Sequence, residues 1–156
     1  TVDEPTILIS PPDPLPPPDP MRSQSPPASR QPMRGMSDPF FDTNILIDWL
    51  CDMPQAVAEL SRYRRHRISR IVWTELMASE TLGQRDSLLH VLAPIEVVDI
   101  DARIAMAAAD IRHRSEMSLI DAFILATAQV NGAILITRNT KDFPANMPGI
   151  RIPYTL

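Results

Sequence analysis

The sequence predicts a three-layer α/β/α sandwich built on a central, mainly parallel and twisted sheet. Two observations lead to this fold class. From Phe40 onward, each short apolar run typical of a strand is followed by a segment whose apolar residues recur at helical spacing. One run, AILIT at residues 133–137, is almost wholly apolar, as expected of a parallel strand that helices cover on both faces.

The prolines divide the chain into two parts. Twelve of the 17 prolines lie in residues 1–39. Proline has no backbone N–H and favours extended polyproline conformations, so we expect residues 1–39 to be a disordered, proline-rich leader. A docking peptide for a proline-reading module is the alternative for this segment. Residues 40–156 then form one domain of a common size.

The first half of the domain contains two predicted strands. The run FFD, residues 40–42, precedes one helix from Asn44 to Leu50 and another from Pro54 to near Arg64. The run ISRIV, residues 68–72, is the second strand, and a helix is expected from Trp73.

The second half continues the alternation. A helix around residues 85–92 precedes the strand IEVVDI, residues 95–100, and Asp101 is a plausible N-cap for the next helix. Residues 119–130, LIDAFILATAQV, are apolar nearly all round, which predicts a buried helix that stops at Asn131-Gly132. After AILIT, residues 150–152 are expected to form an edge strand.

Composition and charge limit the partners and the cellular location that we expect for the protein. The chain holds 15 basic and 19 acidic residues, a net charge of −4, so its charge neither demands nor excludes a nucleic-acid partner. The basic stretch SRYRRHR, residues 61–67, is either an RNA-phosphate contact or a solvated helix end. A single cysteine, no signal-peptide pattern and no membrane-length apolar run lead us to expect a cytoplasmic protein without a membrane partner.

Oxygen-bearing side chains follow or adjoin the predicted strands. Asp42 closes the first strand, Glu75 follows the second, Asp121 lies in the first turn of an apolar helix, and Asn139 and Asp142 follow AILIT. In open parallel sheets, ligands bind at the carboxyl ends of the strands. Each residue also has a structural explanation, as a helix cap, a partner of a helix dipole or a turn residue.

Asp121 is the strongest single candidate. The residues around it, Leu119 to Leu125, offer its carboxylate no local partner. An ionised carboxylate in an apolar setting is costly, so it must meet a cation or hydrogen-bond donors. A cluster of oxygen ligands suits Mg²⁺ or Mn²⁺, which activate water for phosphate-ester hydrolysis without a Ser or Cys nucleophile.

Four stretches make a resemblance specific. FFDTNILID, ISRIVWTELMA, LIDAFILATAQ and AILITRNTKDF resemble, in order, the four signature segments of PIN-domain toxins of the VapC family. By this resemblance the first three acids are Asp42, Glu75 and Asp121. The fourth position aligns with Asn139, with Asp142 close behind, and the polar residues that line the site are Thr43, Asn44 and Thr137.

The resemblance implies a magnesium-dependent endoribonuclease, the toxin of a type II toxin-antitoxin system. Asp42 and Asp121 would hold Mg²⁺, with Mn²⁺ as a substitute, and Glu75 would orient the attacking water. It also implies products with a 3′-hydroxyl and a 5′-phosphate, a homodimer, and an antitoxin that covers the acidic groove.

Two other functions are compatible with parts of the pattern. One is an inert PIN-like module that binds RNA or protein, which the amide at Asn139 and the charge balance favour. The other is a haloacid-dehalogenase-type phosphatase with Asp42 as nucleophile. That chemistry uses a second Asp two residues later, where this chain has Asn44.

Overall fold

The computed structural model describes residues 38–156. Five short strands form one sheet in the order β3-β2-β1-β4-β5, and every neighbouring pair is parallel. The strands are β1 Phe40–Phe41, β2 Arg67–Ser69, β3 Glu96–Val98, β4 Leu135–Ile136 and β5 Ile150–Arg151. The three-layer α/β/α fold with a parallel sheet is confirmed. The predicted disorder of the leader concerns residues outside the described part, apart from Asp38 and Pro39.

Six helices connect the strands in the described part of the chain. They are α1 Thr43–Leu50, α2 Pro54–Ser61, α3 Arg70–Ser79, α4 Leu82–Leu92, α5 Ala102–Arg114 and α6 Leu119–Val130. Asp101 caps α5 as predicted, because its carboxylate accepts from the Ile104 N–H at 2.9 Å. Between residues 38 and 156, no helix is long and apolar enough to cross a membrane.

The strand predicted at ISRIV is wrong for its last three residues. β2 ends at Ser69, whose hydroxyl accepts from the Ile71 N–H at 3.2 Å and so caps α3. The same hydroxyl accepts from the buried Thr127 hydroxyl at 3.1 Å. The β-branched residues Ile71 and Val72 made the run look like a strand, but the cap at Ser69 starts a helix there.

The core lies on both faces of the central strands. Phe40 and Phe41 of β1 and Leu135 and Ile136 of β4 are at most 1% exposed. Successive strand residues point to opposite faces, so this burial requires a layer of helices on each side. The predicted central position of β4 and the edge position of β5 are both confirmed.

The apolar helix α6 is buried mainly from Ala122 onward. Leu119 and Ile120 are 50% and 49% exposed, so the prediction of burial is wrong for the first two residues of the helix. The predicted stop is confirmed: Asn131 is the C-cap and Gly132 takes the left-handed conformation with φ 62°.

Candidate metal centre

Asp42 lies where β1 ends and α1 begins. Its N–H donates to the Ile136 carbonyl at 2.9 Å, which continues the pairing with β4. Its carboxylate accepts from the Thr43 N–H at 2.8 Å and from the Thr137 hydroxyl at 2.7 Å. The two sequence interpretations of Asp42, helix cap and site residue, are therefore compatible with each other.

Three carboxylates in the described part of the chain are buried to the same extent. Asp42, Asp48 and Glu59 are each 5% exposed. Asp48 forms an ion pair with Arg138 and Glu59 forms one with Arg151. Within residues 38–156, no salt bridge reaches Asp42, which has only neutral donors. A buried ionised carboxylate without a counter-charge is costly, so a cation bound from solution would stabilise Asp42.

The pKa values of two of these buried acids are shifted in opposite directions. Burial raises the pKa of the Asp42 carboxyl; the hydrogen bonds from Thr137 and Thr43 oppose the rise, and the charges of Asp121 and Glu75 add to it. Burial also acts to raise the pKa of Glu59, but hydrogen bonds and charge from Arg151 outweigh it and the pKa is lowered. Glu59 is thus stabilised in its ionised form by an arginine, whereas the ionised form of Asp42 would be stabilised by a bound cation.

Glu75 is joined to the start of α1. The Thr43 hydroxyl donates to the Glu75 Oε1 at 2.9 Å. The helix predicted from Trp73 starts earlier, at Arg70, so Glu75 lies in the second turn of α3. The hydrogen bond from Thr43 holds the Glu75 carboxylate near Asp42, which precedes Thr43, and the charge of Glu75 adds to the rise in the pKa of Asp42.

Asp121 has a local partner that sequence reasoning missed. The Ser118 hydroxyl donates to the Asp121 Oδ2 at 2.9 Å and accepts from the Asp121 N–H at 3.2 Å. The spacing Ser-x-x-Asp before an apolar run is a capping-box signal that could have identified this pair. Burial, and then the charge of Asp142, still raise the pKa of the Asp121 carboxyl.

The loop after β4 carries the fourth candidate position. The Asn139 Nδ2 donates to the Asp142 Oδ2 at 2.8 Å, and the Asp142 N–H donates back to the Asn139 Oδ1 at 3.3 Å. Thr137 is fully buried, and its hydroxyl accepts from the Asn139 N–H at 3.0 Å. The Asn44 Nδ2 approaches this hydroxyl at 3.4 Å and the Asp42 Oδ2 at 3.5 Å.

The eight candidate residues thus form one connected system. Hydrogen bonds link Asp42, Asn44, Thr137, Asn139 and Asp142 in series, and another links Thr43 to Glu75. Charge couples Asp42 to Glu75 and Asp121, and Asp121 to Asp142. Over residues 38–156, no group of three or more His, Cys, Asp or Glu side chains is placed closely enough to hold a metal ion. The donor set of carboxylate, amide and hydroxyl oxygens nevertheless fits a hard cation that keeps several water ligands, as Mg²⁺ does.

The basic stretch lies away from this system. Residues 62–66 precede β2, whereas the acids follow the carboxyl ends of β1 and β4. Because all the strands are parallel, the amino end of β2 and the carboxyl ends of β1 and β4 lie at opposite ends of the strands. The arginines of this loop are therefore not neighbours of the acidic centre.

Comparison with known proteins gives the family. The PIN domain matches residues 40–146, more than half of the chain. The chain belongs to the PIN-domain family. No curated protein matches the sequence.

Solved structures agree with this membership. The chain is similar to one in a toxin-antitoxin complex from Klebsiella pneumoniae, with 37% identity and a TM-score of 0.71 over 76% of this chain and 100% of that one. It is also similar to one in DNA-bound VapBC from Salmonella typhimurium, with 27% identity and a TM-score of 0.61 over 77% and 98%. The resemblance to PIN-domain toxins of the VapC family is confirmed. PIN toxins of this type are generally nucleases, and the family generally uses divalent metal ions.

Proposed function

We propose that the protein is a divalent-metal-dependent endoribonuclease and the toxin of a type II toxin-antitoxin pair. The observation that carries the proposal is Asp42, a carboxylate 5% exposed that lacks a basic partner in the described chain and is coupled by charge to Glu75 and Asp121. A site that concentrates negative charge and supplies no counter-charge is suited to bind a metal cation. The similarity to solved toxin-antitoxin complexes supports the biological role.

The candidate residues have different roles in the proposed cleavage of RNA. Asp42 and Asp121 would hold Mg²⁺ or Mn²⁺, with Asp142 adding negative charge beside Asp121. When bound, the metal neutralises charge on the phosphodiester and lowers the pKa of a bound water. Thr43, Asn44 and Thr137 hold the carboxylates in place through their hydrogen bonds, and Thr43 fixes Glu75 in particular.

Glu75 is the proposed base. It is exposed, and between residues 38 and 156 a single hydrogen bond holds its carboxylate, so this carboxylate can accept a proton from an attacking water. The water oxygen forms a bond to phosphorus, the bond from phosphorus to the 3′ oxygen breaks, and that oxygen takes a proton from solvent. The products are a 3′-hydroxyl end and a 5′-phosphate end.

The direct test uses end-labelled RNA and the purified full-length protein. We expect cleavage with Mg²⁺ or Mn²⁺, none after chelation by EDTA, and restoration when metal is added back. Product ends are assigned by whether phosphatase treatment is needed before relabelling. Cleavage that persists in excess EDTA would overturn the proposed metal dependence, and no cleavage with either metal would favour the inert PIN-like binding module.

The proposed partners are those expected of the toxin in a toxin-antitoxin pair. The antitoxin would cover the acidic centre with a peptide, and the toxin would act as a homodimer on RNA. The solved complexes that this chain resembles contain antitoxins, which supports an antitoxin as a partner.

The fourth position gives a prediction of its own. Asp142→Ala should lower cleavage less than Asp121→Ala, because Asp142 is exposed and its carboxylate is already held by the Asn139 amide. Asn139→Asp should tighten Mg²⁺ binding by adding a charge. It should also destabilise the metal-free protein, since it replaces a hydrogen bond to Asp142 with repulsion.

Calorimetric titration of Mg²⁺ and thermal unfolding in EDTA measure both effects. An Asp142→Ala protein as inactive as Asp121→Ala would reverse the order of importance. Unchanged Mg²⁺ affinity in Asn139→Asp would remove the loop from the metal centre.

A further inference from the structure

Two buried networks of the same chemistry lie in different parts of the fold. In the first, the Asp48 carboxylate accepts two N–H bonds from the Arg138 guanidinium, at 2.8 and 3.1 Å, and one from the Tyr154 hydroxyl at 2.8 Å. The Asp48 side chain is 7% exposed and lies on α1. We call these three residues the loop clamp.

The second network has the same three kinds of residue and one exposed arginine besides, since Arg62 lies 3.9 Å from the Glu59 carboxylate. The Glu59 carboxylate accepts two N–H bonds from Arg151, at 2.6 and 3.1 Å, and one from the Tyr63 hydroxyl at 3.0 Å. It joins α2 to the edge strand β5. None of its partners belongs to the candidate metal centre, so this network is a natural control for the first.

The loop clamp differs because Arg138 lies inside the metal-centre loop, between Thr137 and Asn139. Its backbone N–H donates to the Asn44 Oδ1 at 3.2 Å while its side chain is held by Asp48. Asn44 and Asp48 are four residues apart and so share one face of α1. This helix therefore holds Arg138 by backbone and side chain at once.

The turn after Arg138 is built on that residue. The Phe143 N–H donates to the Asn139 carbonyl at 3.0 Å and the Thr140 N–H to the Arg138 carbonyl at 3.1 Å, so residues 138–143 form a short turn anchored at Arg138. This turn carries the Asn139–Asp142 hydrogen bond. The location of the Asp142 carboxylate relative to Asp121 therefore depends on where Arg138 is fixed.

We propose that Asp48, Arg138 and Tyr154 are positioning residues that fix the loop at residues 137–142 and thereby set the metal affinity of the acidic centre. The effect on metal affinity rests on the proposed function, whereas the positioning of the loop rests on the observed hydrogen bonds alone. Residues that orient metal ligands from outside the coordination sphere commonly change metal affinity or activity by about 10- to 100-fold when they are replaced.

The experiment compares Asp48→Asn with Glu59→Gln in the full-length protein. Each change neutralises the carboxylate of a residue that is 5% exposed, accepts two N–H bonds from one arginine and accepts one bond from a tyrosine, so both should lower the melting temperature. Only Asp48→Asn is expected to weaken Mg²⁺ binding, by about 10- to 100-fold in calorimetric titration. Cleavage by Asp48→Asn should recover as Mg²⁺ is raised to saturation, whereas Glu59→Gln should show the wild-type dependence on Mg²⁺.

A milder pair of variants applies if Asp48→Asn does not fold. Tyr154→Phe and Tyr63→Phe each remove one hydroxyl and leave the ion pair intact. Tyr154→Phe should weaken Mg²⁺ binding, and Tyr63→Phe should not. Equal Mg²⁺ affinities within either pair of variants would overturn the positioning role.

Amide hydrogen exchange separates this inference from the proposed function. In EDTA, the Asn139 and Asp142 amides should exchange faster in Asp48→Asn than in the wild type or in Glu59→Gln. A wild-type protein that binds no Mg²⁺ would refute the metal centre, and the exchange rates would still decide whether the clamp fixes the loop. Unchanged exchange at Asn139 and Asp142 would overturn the clamp.

Discussion

Replacing Asp42 or Asp121 with asparagine is expected to lower metal-dependent RNA cleavage by more than about 100-fold, since even residues outside a coordination sphere commonly contribute 10- to 100-fold. Asp42 directly follows β1, Asp121 lies in the first turn of α6, and the charge of Asp121 adds to the rise in the pKa of Asp42. An amide is a neutral and weaker ligand for a hard cation. Initial rates on labelled RNA at saturating Mg²⁺ measure the loss.

The same change at Asp42 should not destabilise the metal-free protein at neutral pH. Burial, followed by the charges of Asp121 and Glu75, raises the folded-state pKa of Asp42 above its ordinary value. A carboxyl group whose pKa is higher in the folded than in the unfolded protein contributes its full stability below the pKa of the unfolded state. That contribution is lost as the pH rises through the pKa of the folded state. Asparagine does not ionise, so the Asp42→Asn protein keeps this contribution at neutral pH. Asparagine is also a good N-cap residue for α1.

At pH 7 we therefore expect metal-free Asp42→Asn to gain about 1.4 kcal/mol for each unit by which the pKa is raised, less the weaker hydrogen bonding of the amide. Thermal unfolding in EDTA between pH 4 and pH 8 tests this, because the advantage over wild type should grow with pH.

The control is Asp86→Asn on α4, an exposed aspartate outside the metal centre, which should retain cleavage. Wild-type activity in either Asp42→Asn or Asp121→Asn would contradict the assignment of the metal ligands. A melting temperature in EDTA far below that of wild type would show that Asp42 is a structural residue instead.

Phe143→Ala is expected to produce the largest loss of stability, about 3–5 kcal/mol. The Phe143 side chain is fully buried in the core, and its N–H closes the turn that carries Asn139 and Asp142. Its removal leaves a cavity that the surrounding sheet and helices fill only partly. In a domain of this size the melting temperature should fall by roughly 10 °C or more.

Met106→Ala provides the comparison, since Met106 is 66% exposed and its truncation should change the free energy of unfolding by less than about 0.5 kcal/mol. Chemical denaturation of the two variants gives both free energies. If Phe143→Ala unfolds at the same denaturant concentration as Met106→Ala, the turn is not anchored by its aromatic side chain.

The sequence by itself determined the order of strands and helices along the chain and the parallel sheet, and it supplied the set of acids that we propose for the site. Alternation between strand-like and helix-like runs depends on the local period of apolar residues, which can be counted directly along the chain. The position of Asp42 at the end of a strand, and of Asn139 and Asp142 after AILIT, came from the same local pattern. The four signature segments then pointed to the PIN family, and the match over residues 40–146 confirms it.

The tertiary structure decided how these residues are held. Ser69 ends β2 three residues before the end predicted for that strand because its hydroxyl caps α3, and the same hydroxyl meets Thr127, 58 residues later in the chain. Asp48 and Arg138 are 90 residues apart, and they form an ion pair because β1 and β4 are neighbours in the sheet. Local periodicity carries no information about which distant side chains meet. Strand order and the packing of α1 supply that information, so only the tertiary structure shows which residues support the proposed metal centre.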